Sequence, residues 1–361
     1  MENNKDNRFK KIKLFIAFVL LAILIIISNK NNQRKILEFV NSFNKGEKTL
    51  ELINYFDNHN IIDVNIYKNT IAIWEENRIL FTNRDGELIL EKNFNFIEPA
   101  IYYGEKYIYP YDKATGDIYF FHNNGSSFEK LQLGKEIFNI KERNGYLMCH
   151  LKAGNIEKID ILDKDWTLIG SPTFDDKNIL SYDINKRGTK ILVSLLNLNN
   201  DRLKSEIYYY GENNEEQGSL TIEGEIILFN ELIKDNSQVI LTDKALYYVK
   251  DEEIVWEKSF NLIKDIYIFK DTIYLLHGNY LEAINLKGEI KNAIGFTENY
   301  NSISNFNGNT LVYGDEKLAV VKNGELILEH EEFILKAYTN GIDLLILGPD
   351  SLNIYELINK E

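Results

Sequence analysis

The chain is poor in the residues that most often carry chemistry or covalent cross-links. It has one cysteine, Cys149, in 361 residues, which excludes an internal disulfide and a cysteine-based metal cluster. Cys149 lies in the strand-like run Tyr146-Leu147-Met148-Cys149-His150 and reads as a small buried hydrophobe. The five histidines (His59, His122, His150, His277 and His330) stand far apart, and no H-x-x-x-H pair offers two metal ligands on one helix face. No G-x-x-x-x-G-K-[ST] or G-x-G-x-x-G supports a phosphate cradle, and no G-x-S-x-G supports a nucleophile elbow. Positive charge is scarce where a nucleic-acid face would need it. Residues 1–35 hold eight of the 41 Lys/Arg and two of the 55 Asp/Glu, leaving 33 against 53, a net −20, on the remainder. Phosphate binding needs a basic face, so nucleic acid is excluded as a partner.

What the chain has in plenty is apolar and aromatic surface, 44% and 12% of its residues, which is too much for a disordered polypeptide. Its longest apolar run is Leu14 to Ile27, preceded by Lys10, Lys11 and Lys13. Ile12 to Ser28 gives 17 positions, about 25 Å of helix, which spans a bilayer if the flanking lysines snorkel. A cleaved signal peptide would need a small-x-small site after the run, and the chain reads Ser28-Asn29-Lys30-Asn31-Asn32 instead. The expectation is an uncleaved single-pass anchor over 14–28. Five basic residues precede the run and Lys30, Arg34 and Lys35 follow it, so the tail 1–13 is expected in the cytoplasm and the rest outside the cell membrane. Ile36, Leu37, Phe39, Val40 and Phe43 have helical spacing, which makes 29–47 a stalk or short amphipathic helix.

From residue 48 onward the pattern is that of strands, short Ile, Tyr, Leu, Val and Phe runs between Asn, Asp, Gly and Lys, with four prolines in the whole chain. One unit recurs, of three strands, a glycine turn and a fourth strand. The turn has copies in Asp85-Gly86-Glu87-Leu88-Ile89-Leu90, Asn323-Gly324-Glu325-Leu326-Ile327-Leu328 and, more weakly, Lys287-Gly288-Glu289-Ile290. Asp-Gly and Asn-Gly predict hairpins whose two central residues take positive φ. Units begin near residues 61, 96, 135, 178, 225, 262, 299 and 333, spaced by 34 to 47 residues. Four short strands at that period describe a propeller blade. Helical repeats would need amphipathic helices, and a β-helix would need shorter coils. The expected fold is therefore an all-β propeller over 48–361, with eight four-stranded blades, or seven if one unit is wrongly divided. The last unit offers three strands, and 48–56 are expected to complete it, because an open ring leaves an unpaired edge.

Two segments carry a family resemblance. Tyr111-Asp112-Lys113-Ala114-Thr115-Gly116-Asp117-Ile118-Tyr119 resembles the Asp-x-x-Thr-Gly turn of quinoprotein-like propeller repeats, and Glu253-Ile254-Val255-Trp256 resembles their strand ending in Trp. In layout the whole chain also resembles an uncharacterised family of membrane-anchored propellers from clostridia-like bacteria. The first resemblance implies a propeller of the quinoprotein and WD-repeat type. Neither implies an activity for this chain, because fold does not carry function.

Few residues stand out as a site. Asn197 to Asp201 approaches a calcium loop but has Arg202 and Tyr208 where the bending Gly and the bidentate Glu belong, so it reads as a polar hairpin. Acid pairs such as Asp175-Asp176 and Glu252-Glu253 diverge on a strand and read as solvated surface. Tyr208, Tyr209 and Tyr210 lie between two polar loops, and tyrosines suit interfaces, which makes them candidate partner contacts. No catalytic, cofactor or metal residue is assigned. The expected function is a non-enzymatic, membrane-tethered platform for a protein, peptide or wall component, with a small-ligand or carbohydrate sensor or a quinoprotein-like relic as alternatives.

Overall fold

The computed structural model describes residues 48–359 except 59, 127, 199–202 and 235. The tail 1–13, the anchor 14–28 and the stalk 29–47 lie outside the described residues, as does most of the calcium-like loop. Among the described residues no helix is long and apolar enough to cross a membrane. Residues 52–356 form one compact unit, and the strand ends 48–51 and 357–359 belong to a second.

The larger unit is an eight-bladed β-propeller. Seven blades are built from consecutive antiparallel strands, with first strands at Asp63–Tyr67, Pro99–Tyr103, Ile137–Arg143, Asn178–Ile184, Ile227–Lys234, Ile263–Phe269 and Ser302–Phe306. Each begins within three residues of the start of a sequence unit. The eighth blade runs Lys336–Thr339, Asp343–Leu347 and Ser351–Asn359, and its outermost strand is Lys48–Asp57 from the other end of the chain. First strands of neighbouring blades touch one another, Asn178–Ile184 with Ile227–Lys234 for example, so the first strand is the innermost.

Burial follows from this radial order. A middle strand has a neighbouring blade on both faces and is buried at almost every position; Ser237–Thr242 and Asp343–Leu347 are buried throughout. An outer strand such as Glu253–Ser259 has water along one edge and alternates. The core consequently lies between blades. Ile71 and Ile73 of the first blade pack with Leu345, Leu347, Leu352 and Ile354 of the eighth, each fully buried side chain contributing about 1.5–3 kcal/mol.

Local geometry departs from the sequence reading in two places. Asn323 and Gly324 both take positive φ, 51° and 83°, as a two-residue hairpin requires. Gly86 (φ 89°) and Gly288 (φ 82°) do so without their preceding residues. There Gly86 N–H bonds Asn83 O and Asn83 N–H bonds Glu87 O, a turn one residue longer that ends in a bulge, so only the glycine needs the left-handed conformation. In the third blade the outer strand is broken into Leu168–Gly170 and Thr173–Asp175, because Pro172 between them has no N–H to give the ladder.

Candidate interaction face

Antiparallel order divides the loops of each blade between two ends of the ring. Loops joining the first to the second strand and the third to the fourth lie at one end, called here the hairpin end. Loops joining the second to the third strand, and each blade to the next, lie at the other, the crossover end. At the crossover end an apolar side chain within two residues of the start of the innermost strand is exposed in six blades: Ile62, Ile97, Phe138, Leu228, Leu262 and Leu335. Ile97 is 73% exposed and Leu262 77%, values far from those of a packed side chain. Two of the six, Phe138 and Leu228, stand at β-bulges, where the register skips from Ile137 to Asn139 and from Ile227 to Phe229. A bulge re-aims the extra residue out of the alternation. Their exposure is therefore a product of backbone geometry, and no hydrophobic pattern predicts it.

The two ends also differ in charge. Among described loop residues the crossover end holds eleven Asp/Glu against four Lys/Arg, and the hairpin end eleven against nine. Three of the four cations at the crossover end are already engaged: Lys177 pairs with Glu206 at 2.7 Å, Lys135 with Asp160 at 3.7 Å, and Lys244 donates to Gly224 O. A cleft of about 740 Å³ opens at this end beside the first blade, lined by Ile61, Ile62, Glu75, Glu76, Phe94 and Pro349 among others. Glu75 in it is bound by Arg78, while Glu76 is exposed and holds a φ of 24° in a two-residue turn.

Deeper in the ring the innermost strands have an edge with no strand beside it, and side chains of the preceding blade take its N–H groups. Leu232 N–H donates to Asp183 Oδ2 at 2.8 Å and Ile303 N–H to Asp265 Oδ2 at 2.8 Å. Asp183 is fully buried and lies 3.5 Å from Lys141 Nζ and 3.6 Å from Arg143 Nε, and Arg143 Nη2 reaches Glu231 at 2.6 Å. Burial works against the Arg143 charge, but Asp183 and Glu231 outweigh it; burial pushes the Glu231 carboxyl up despite Arg143. Two cations and two carboxylates from three blades thus neutralise one another, an arrangement that joins blades.

The residues singled out by sequence are otherwise engaged. Tyr209 is 1% exposed, with its hydroxyl accepting from Gln238 Nε2 at 2.7 Å; Tyr210 is buried against Phe174. Tyr208 is half-buried, with Lys177 Nζ 2.8 Å from its hydroxyl. All three lie within blade packing. In the quinoprotein-like turn, Asp112 accepts four hydrogen bonds, from the N–H groups of Ile97, Glu98 and Ala114 and from Thr115 Oγ1. Trp256 donates Nε1–H to Leu286 O at 3.0 Å and lies over the Gly288 turn, joining the fifth blade to the sixth. Cys149 is fully buried, and burial pushes its thiol up.

Three histidines each meet a separate carboxylate, His150 with Glu157, His277 with Glu282 and His330 with Glu332. Among the described residues no group of three His, Cys, Asp or Glu side chains could hold a metal ion. His150 has a testable consequence. Burial holds its imidazole below the ordinary value against the pull of Glu157. The unfolded chain then takes up a proton near pH 6.5 that the folded chain refuses, so this stability is present above about pH 6.5 and lost as the pH falls through the folded value. The urea midpoint should drop between pH 7.5 and 5.5, and His150→Gln should flatten that window; an unchanged slope in the variant would remove the assignment.

Solved structures with the same fold are far in sequence. BamB from Moraxella catarrhalis superposes with a TM-score of 0.58 at 8% identity, covering 85% of this chain and 100% of that one. The C-terminal WD40 domain of Sif2 gives 0.65 at 12%, over 86% and 99%. At such identities the likeness shows the fold, a β-propeller, and nothing finer. No curated protein matches the chain in sequence. A family model does match, over residues 44–339, and the chain therefore belongs to the family of unknown function DUF5711.

Proposed function

We propose that this protein is a non-enzymatic binding platform, a propeller held outside the cell membrane by the 14–28 helix, whose crossover end takes a protein partner. The observation that carries the reading is the set of apolar side chains, one in each of six blades, exposed around the inner strands at one end of the ring. Clustered exposed apolar side chains rimmed by polar loops are the usual mark of a protein interface.

A photo-crosslinking side chain placed at Leu262 in the full chain, in cells, should yield one discrete protein adduct. The same group at Ile254, exposed on an outer strand, should yield none. Equal yields at the two positions, or no adduct at Leu262, would remove the reading.

A further inference from the structure

We infer that the occupant of the crossover end is a cationic polypeptide segment with apolar side chains at its centre, seated around the inner strands and running out into the cleft beside the first blade. The inference rests on the platform reading and adds the chemistry of the partner. Two observations favour it over a second copy of the chain or an anionic bilayer surface. The loops around the apolar side chains are net negative, eleven acids against four bases, and most of those bases are spent on neighbouring protein atoms. A second copy brought face to face would set acid against acid, and an anionic lipid surface would be repelled. The cleft combines the same two features on a smaller scale. Ile61, Ile62 and Pro349 give it apolar lining, Arg78 in it is paired with Glu75 and Glu91, and the exposed Glu76 carboxylate lines it as well. A lysine or arginine stem would cover the apolar lining while its head met Glu76, as long cationic side chains do elsewhere.

The test uses the full chain in zwitterionic nanodiscs, with empty discs as the blank, and a labelled 15-residue probe of alternating Lys and Leu. Comparison probes carry Glu for Lys, or Ser for Leu. In about 0.15 M salt the Lys/Leu probe should bind at least tenfold more tightly than either, and weaken as salt is raised. Leu262→Ser with Leu335→Ser should cost about tenfold. Glu76→Asn, Glu98→Gln and Glu136→Gln together should cost severalfold, Asn being tolerated at positive φ. Three exposed acids of the hairpin end, changed as Glu105→Gln, Asp165→Asn and Glu212→Gln, should change nothing. Equal binding of the Glu probe, equal losses from the two acid sets, or self-association abolished by Leu262→Ser would each overturn the inference. The platform reading falls separately, by loss of the Leu262 adduct, whatever the probes do.

Discussion

Deleting residues 48–57 should abolish the single sharp unfolding transition of the propeller. The strand they form is the outer strand of the eighth blade, and without it Ser351–Asn359 presents a bare edge. Several contacts across the junction with the first blade go with it. Asn54 Nδ2 donates to Arg84 O at 3.1 Å, Phe56 packs on the core shared by Ile71, Ile73, Leu345 and Ile354, and a Cβ on Gly86 would lie only 3.2 Å from the Phe56 ring. Arg84 itself bridges Asp343 and Glu356 of the eighth blade at 2.8 Å each. Each blade of a ring is supported on both sides, so loss at one junction exposes two faces at once. The milder variant Phe56→Ala, in the full chain, should cost about 2–3 kcal/mol, because its ring is half-buried rather than fully enclosed. Circular dichroism melts decide the matter: an unchanged transition in the deletion would mean that the junction contributes little to cooperativity.

The second large effect is expected at Asp112. Its side chain is 2% exposed and is the acceptor for three backbone N–H groups and one hydroxyl. Asp112→Ala leaves those donors facing a cavity, at about 1–3 kcal/mol for each group that water cannot reach; about 3–5 kcal/mol in total is expected after local relaxation. The loop cannot relax far. Gly116 closes the turn at φ 77°, with the place of a Cβ only 2.3 Å from Lys135 O. The charge adds a pH signature. Burial opposes ionisation, but the donors from Glu98, Ile97 and Thr115 outweigh it and hold the carboxyl below its ordinary range. The contribution is therefore present above about pH 3.9 and lost as the pH falls through the lower folded value. Urea midpoints should show wild type and Asp112→Ala far apart at pH 7 and converging below pH 4. A constant gap down to pH 3 would assign the effect to packing instead of the carboxylate.

Asp112 also shows how a residue can be found by its local pattern while its partners are not. Its spacing to Thr115 and Gly116 marks a turn, and the turn is there. Nothing local says that its remaining lone pairs go to Ile97 and Glu98, on the crossing from the first blade. The tyrosine triplet is similar. Alternation guarantees that Tyr208 and Tyr209 face opposite ways, but in a middle strand of a propeller both faces are covered by other protein atoms. Period-2 alternation reports burial only where one face meets water.

The period of roughly forty residues, the alternation of short apolar runs with turns, and the glycine at the outer hairpins are properties of neighbours in sequence, and they place each blade within a few residues. The exposed apolar end is not such a property. It arises from bulges at Phe138 and Leu228 and from leading residues such as Ile97 and Leu262, whose surroundings are set by the adjoining blade. The pairing of Arg143 with Glu231 spans three blades and 88 residues. Local pattern therefore determines how many blades there are and where they begin, since strand and turn propensities act over a few residues. Which surface is left to meet a partner is decided only when the ring closes and each blade acquires its neighbours.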